Sequence, residues 1–158
     1  PVTAGYCTAA CVFAGSFARP IGGYLADRVG GTRTLAAVYA VVAAIILTAS
    51  QSLFPVSGAL LLFICGMAAL GMGNGAVFQL VPQRFGRDVG LMTGLVGMTG
   101  GIGGFYLAAS LGYAKQFTGS YAFGFMVFAG MALMAWAGIS AVRLRWRREA
   151  SSLALVRI

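Results

Sequence analysis

Apolar residues run unbroken for longer than a soluble element needs, and they do so five times along the chain. The first run extends from Val2 to Ala18 and on to Ala26; the others cover about 34–50, 56–81, 89–114 and 121–142. A helix needs about 17–25 such residues to cross the hydrocarbon core of a bilayer, and each run supplies that length. The runs lack the period-two alternation of a membrane barrel, which leaves helices. Only 9% of the 158 residues are charged, against 59% hydrophobic. A soluble domain carries roughly 25% charge, so this chain has too little polar surface to face water. The expected fold is therefore an all-α membrane protein with five transmembrane helices in residues 1–142 and a basic cytoplasmic tail over 143–158.

The breaks between runs are polar and turn-rich, and their charges alternate. ADRVGGTR, PQRFGRD and the tail hold Arg28 and Arg33, Arg84 and Arg87, and Arg143, Arg145, Arg147 and Arg148; the intervening breaks QSLFP and KQFTGS hold only Lys115. Basic loops stay on the cytoplasmic side, so this asymmetry predicts a multi-pass protein of the cytoplasmic membrane with its C-terminus inside. Trp146 on that side, and Tyr113 and Tyr121 on the other, suit interfacial anchoring in the lipid bilayer. The tail arginines suit contact with anionic lipid. The basic residues behind the formal net charge of +8 sit, apart from Arg19, in these short clusters between apolar runs, which argues against nucleic-acid binding. Cys7, Cys11 and Cys65 lie inside apolar runs and there is no His. That pattern predicts neither disulfides nor a metal site, no cofactor and no enzyme, because no nucleophile, base or metal constellation is present. The opening Pro1-Val2-Thr3 has neither Met nor a basic region. Five spans entered from the outer side also make a lopsided bundle. Both features lead to the expectation of a C-terminal part of a larger protein, with upstream helices lying outside this sequence.

Few residues inside the runs have charged or amide side chains. Arg19 stands eight residues before Asp27, about 12 Å along a helix. If the helix continues past Pro20, the guanidinium lies deep in the membrane, where a charge usually faces a cavity or a partner; the other reading is an interfacial arginine that snorkels to headgroups. Asp27 and Arg28 sit in a Gly-bounded turn within GGYLADRVGG, either as a latch to a neighbouring helix or as a solvated loop. Asn74 and Gln79 place amides in the third run, where an amide in lipid bonds a neighbouring helix or a substrate. Gly71-x-Gly73-x-x-Ala76 matches a dinucleotide fingerprint in form only, since it follows no strand and opens no helix. In the fourth run Gly90, Gly94, Gly97, Gly101, Gly104 and Ala108 recur at steps of four and three, with Gly100 and Gly103 widening the stripe. A bare helix face of this kind serves either close helix packing or the passage of a small ligand along the backbone.

These segments carry a resemblance. ARPIGGYLADRVGG resembles the cytoplasmic loop motif of the major facilitator superfamily in its second-half copy. GMGNGAVFQLVPQRF, followed by GLMTGLVGMTGGIGGFYLAASLG, resembles the nitrate/nitrite porter family within it, the glycine-rich run looking like that family's second nitrate signature. The resemblance implies helices eight to twelve of a twelve-helix transporter working by alternating access. Its substrates would be nitrate and nitrite, and an N-terminal half outside this sequence would be its partner. It implies that Arg19 contacts the anion, with Asn74 a further candidate. Gly97, Gly100, Gly101, Gly103 and Gly104 would line the pathway, and Asp27 and Arg28 would gate the cytoplasmic side. The physics agrees: a small planar monoanion suits an arginine fork and amide donors in a low-dielectric cavity. None of the runs contains an acidic residue, which favours nitrate/nitrite exchange over proton-coupled uptake. The alternatives are a carrier for another small anion or metabolite and, further off, a non-transporting scaffold or sensor.

Overall fold

Lipid offers the backbone no hydrogen bonds, so a spanning segment must close its own, and helices do this within one segment. The computed structural model describes residues 2–51 and 55–155, with side chains up to residue 145. The side chains of Trp146, Arg147 and Arg148, and residues 52–54 of the QSLFP break, lie outside the described residues. Five helices follow one another: α1 (Val2–Val29), α2 (Gly31–Ser50), α3 (Val56–Arg84), α4 (Val89–Thr118) and α5 (Ala122–Leu155). Four of them are long and apolar enough to cross a membrane: α2, α3, α4 and, in α5, Ala122–Arg145. Helix α1 is as long as these, with 28 residues, but carries Arg19, Asp27 and Arg28.

Helix α1 passes through Pro20 without a break, as a first run reaching Ala26 requires. Proline has no N–H and so removes one rung, the bond to the Ser16 carbonyl, but packing on both sides holds the helix together. Helix α5 runs to Leu155 instead of ending near Val142. Residues 143–155 contain neither Gly nor Pro, only residues that continue a helix at little cost.

The turn from α1 to α2 is a single residue. Gly30 has φ 99°, a backbone conformation that glycine alone adopts without strain. Its N–H donates to the Ala26 carbonyl at 3.0 Å, and its own carbonyl accepts from the N–H groups of Arg33 and Thr34, each at 3.0 Å. The Thr34 hydroxyl donates to the same carbonyl at 3.2 Å. Thr34 is 2% exposed, so its polar atoms are buried but satisfied.

Helices α1 and α3 run parallel and touch backbone to backbone. A Cβ on Gly71 would overlap the Gly15 carbonyl oxygen, one on Gly75 the Arg19 carbonyl oxygen, and one on Gly22 the Met72 backbone. At Gly71 and Gly75 the hydrogen that stands in place of the Cβ points at a carbonyl, a weak Cα–H···O contact worth about 0.5–1 kcal/mol. The buried face of α1 is Gly15, Ala18, Gly22 and Ala26, at steps of three and four that align small residues on one side. Gly71 and Gly75 form the matching small-xxx-small pair on α3, the arrangement that lets membrane helices approach most closely. Helix α2 then packs antiparallel to α3, with Leu35 beside Ala76 in one buried cluster and Val38, Val42 and Ala69 in another. Ile139 of α5 joins the first cluster. Helix α4 has no buried residue. It touches the rest near its C-terminal end, where Leu111 and Ala114 meet the space beside Gly124 of α5.

With the helices alternating in direction, Arg28, Arg33, Arg84, Arg87, Arg143 and Arg145 all fall at one end of the bundle. At the other end Lys115 lies over the Tyr121 ring, 4.7 Å from its centroid, and Tyr113 stacks on Phe117. Phe13, Phe17, Ile21 and Tyr24 of α1 point away from α3 and are exposed, as a surface against lipid or further protein requires.

The glycine contact sets a stability prediction. Gly75→Ala forces α1 and α3 apart and should cost about 1–3 kcal/mol, the range for overpacking a tight contact. Gly130→Ala, where a Cβ meets nothing within 4 Å, should cost nothing and gain helix propensity. Thermal melting in detergent separates the two; equal behaviour would rule out the backbone contact as the source of the packing.

Candidate anion site

Close approach of two helices leaves polar side chains at its rim with nowhere to go but the space alongside. Val12, Gly15, Ser16 and Arg19 of α1 and Met67, Leu70, Gly71 and Asn74 of α3 line an open cavity of 180 Å³. Arg19 and Asn74 each lie about ten residues from the charged ends of their helices, roughly 15 Å in from them. That is about half the thickness of a hydrocarbon core, so the cavity is at mid-depth. One cation and one amide therefore converge from two helices on one space, and the bare Gly15–Gly71 contact beside them is what lets the helices come close enough.

Among the described residues Arg19 and Asn74 make no hydrogen bond, ion pair or ring contact. An arginine that snorkels would instead point to the charged end of the bundle, where the other arginines are. The guanidinium presents a rigid fork of donors and the Asn74 amide both a donor and an acceptor, a set that fits a planar oxyanion. A cavity needs only about 10–15 Å³ to hold one water, so this one has room for a four-atom anion and water besides.

The Asp27 and Arg28 pair divides. Asp27 accepts from Gln79 Nε2 at 2.5 Å and from Gln83 Nε2 at 3.4 Å, which ties the charged ends of α1 and α3 together. Arg28 lies over the Tyr24 ring, 4.5 Å from its centroid. The carboxylate thus answers to two amides on α3, and the neighbouring guanidinium to an aromatic face. Gln79 and Gln83 are spaced i, i+4 and share one face of α3, a pattern present in the sequence but without an obvious partner there.

The glycines of α4 stand elsewhere. No atom lies within 4 Å of a Cβ built on Gly90, Gly94, Gly97, Gly100, Gly101, Gly103 or Gly104. The described chain does not bring Gly97, Gly100, Gly101, Gly103 or Gly104 to the Arg19 cavity. Nor does α4 use its stripe to pack on its neighbours; the glycines that pack are in α1 and α3. Leu107 and Leu111 of α4 border a different, wholly apolar cavity of 270 Å³ against Phe63, Phe125 and Phe128. Cys7, Cys11 and Cys65 are free thiols.

Comparison with known proteins adds a family to this geometry. The chain is 38% identical over 136 residues to the "Nitrite extrusion protein" of Bacillus subtilis (strain 168), a match covering 84% of the chain and 33% of that protein. It is 36% identical over 135 residues to a Thermus thermophilus protein named "Probable nitrate/nitrite antiporter NarK1", covering 71% of the chain and 29% of that protein. A Staphylococcus carnosus (strain TM300) protein named "Probable nitrate transporter NarT" is 33% identical over 123 residues, 76% of the chain and 31% of that protein. The chain thus spans about a third of the length of the curated relatives it matches. No solved structure matches it significantly. The family model described as Major Facilitator Superfamily matches residues 1–108, a stretch that holds Arg19, Asp27, Asn74 and the α4 glycines, and the chain belongs to that superfamily.

Proposed function

We propose that the protein to which this chain contributes moves nitrate and nitrite across the cytoplasmic membrane by alternating access, and that Arg19 and Asn74 supply part of its anion site. The observation that carries this reading is the convergence of an unpartnered arginine and an unpartnered amide on one cavity at mid-depth. The names of the similar proteins, a nitrite extrusion protein, a nitrate/nitrite antiporter and a nitrate transporter, support the substrate. Such a site offers charge and hydrogen bonds with which to hold and release an anion, the work that transport requires. An arginine within a membrane-spanning run and without an acid beside it attracts an anion and is left unpaired when the anion departs, which favours exchange of one anion for another over release into an empty site.

The same reading gives the other residues roles. The uncovered stripe of α4, with Gly97, Gly100, Gly101, Gly103 and Gly104, faces a preceding segment of the same protein and forms the surface along which the two parts rock. Asp27 and Arg28 gate the charged end, taken to be cytoplasmic. Asp27 does so by locking α1 to α3, and Arg28 is the cation held ready over Tyr24 to meet that preceding segment. The chain's C-terminus would then also lie inside.

Two experiments follow. Nitrate/nitrite counterflow in proteoliposomes holding the complete protein should be present in the parent and fall at least about tenfold in Arg19→Lys. Lysine keeps the charge but loses the fork, and a hydrogen bond to a charged group is worth about 1.5–3 kcal/mol. Full flux in the variant would remove Arg19 from the site, and no flux in a folded parent would remove nitrate and nitrite. For the gate, Asp27→Ala should slow maximal exchange by about threefold to tenfold, the loss of roughly one hydrogen bond's net worth. Half-saturation should stay unchanged; a shifted half-saturation with intact maximal rate would contradict a gating role.

A further inference from the structure

Ser16 precedes Arg19 by three residues, so the two side chains stand on one face of α1, a turn apart. Both line the 180 Å³ cavity with Asn74. Several hydroxyls in the helices are spent on their own backbone: Thr8 bonds the Ala4 carbonyl at 3.0 Å, Thr48 that of Ala44 at 2.7 Å, and Ser110 that of Leu107 at 3.0 Å. Ser16, like Thr93 and Ser140, makes no hydrogen bond among the described residues, but its hydroxyl is the one that lines the cavity with Arg19. A serine in a membrane helix normally returns its proton to a carbonyl one turn back, because lipid offers nothing else. One that leaves its proton free beside an arginine is placed to give it to something that enters the cavity.

We infer that Ser16 is a specificity-determining residue of the anion site, donating to the oxygen of nitrate that the Arg19 fork leaves unbound. This rests on the proposed anion site above. The chemistry is a matter of counting oxygens. A guanidinium fork takes two oxygens of a planar anion side by side. Nitrite has only two oxygens and is then fully engaged, whereas nitrate carries a third that points away from the fork. An oxygen left without a donor in a low-dielectric cavity loses the solvation it had in water. The Ser16 hydroxyl and the Asn74 amide are the two donors beside Arg19 that can replace it, and Ser16 is the one on the same helix, held in fixed register to the fork. Ser16 therefore favours nitrate over nitrite.

The test is half-saturation for each anion in proteoliposomes of the complete protein, with Ser16→Ala and Ser16→Thr beside the parent. Ser16→Ala should raise the nitrate value by about threefold to tenfold, the weight of one hydrogen bond near a charged group, and leave nitrite within about twofold. Ser16→Thr, which keeps a hydroxyl, should restore the nitrate value. Nitrate-induced stabilisation in a thermal melt, which needs no flux, should shrink in Ser16→Ala and persist in Ser16→Thr. An equal change for both anions, or none for either, with flux intact, would overturn the role of Ser16 while leaving the anion site standing. Loss of both anions' flux from the parent itself would overturn the site and this inference together.

Discussion

The contact between the bare backbones of α1 and α3 governs what surrounds it. Lipid gives no hydrophobic drive for two helices to associate, so close van der Waals contact has to hold them. Here Gly71 and Gly75 lie against the carbonyls of Gly15 and Arg19. The same contact sets the spacing at the cavity beside it: a methyl group on either glycine would push Asn74 away from Arg19. It also aligns Asp27 with Gln79 and Gln83 farther along, since all these pairs share one parallel register. Packing, site and end-clamp are three consequences of one interface.

That interface also explains why a charge is tolerated at mid-depth. An arginine on a lipid-facing surface would be drawn to the headgroups. Arg19, although exposed in the described chain, borders an open cavity lined by Val12, Met67 and Leu70 on its apolar sides and Ser16 and Asn74 on its polar ones. Water or an anion entering that space supplies the partner that the protein withholds.

Much of this was legible in the sequence because membranes narrow the options. Continuous apolar runs could only be helices, and the alternation of Arg28, Arg33, Arg84 and Arg87 with Lys115 told which ends belong together. Arg19 stood out because charge is rare inside such runs. The packing partners were harder to read. The six-member stripe in α4 was the loudest glycine signal, yet in the described chain it meets nothing, while the quieter Gly15, Gly22, Gly71 and Gly75 carry the contact. Periodicity shows that a face is small, not which face it meets. Ser16 and Gln83 were missed for a related reason: their types are unremarkable, and only a neighbour from another helix gives them significance. The run through Pro20 was uncertain from sequence because a proline's effect depends on how firmly the helix is held on either side.

The one-residue turn at Gly30 has a mechanical side. With no slack between them, α1 and α2 cannot slide past one another; they can only tilt about that point. Arg19 lies eleven residues from Gly30 along a rigid helix, a lever arm of about 16 Å. A tilt of about 5° at Gly30 therefore sweeps the guanidinium through about 1.4 Å. That is enough to take a hydrogen bond from good geometry to none. If Arg19 holds an anion as proposed, a small rotation at the charged end of the molecule becomes, at the middle, the difference between gripping that anion and letting it go.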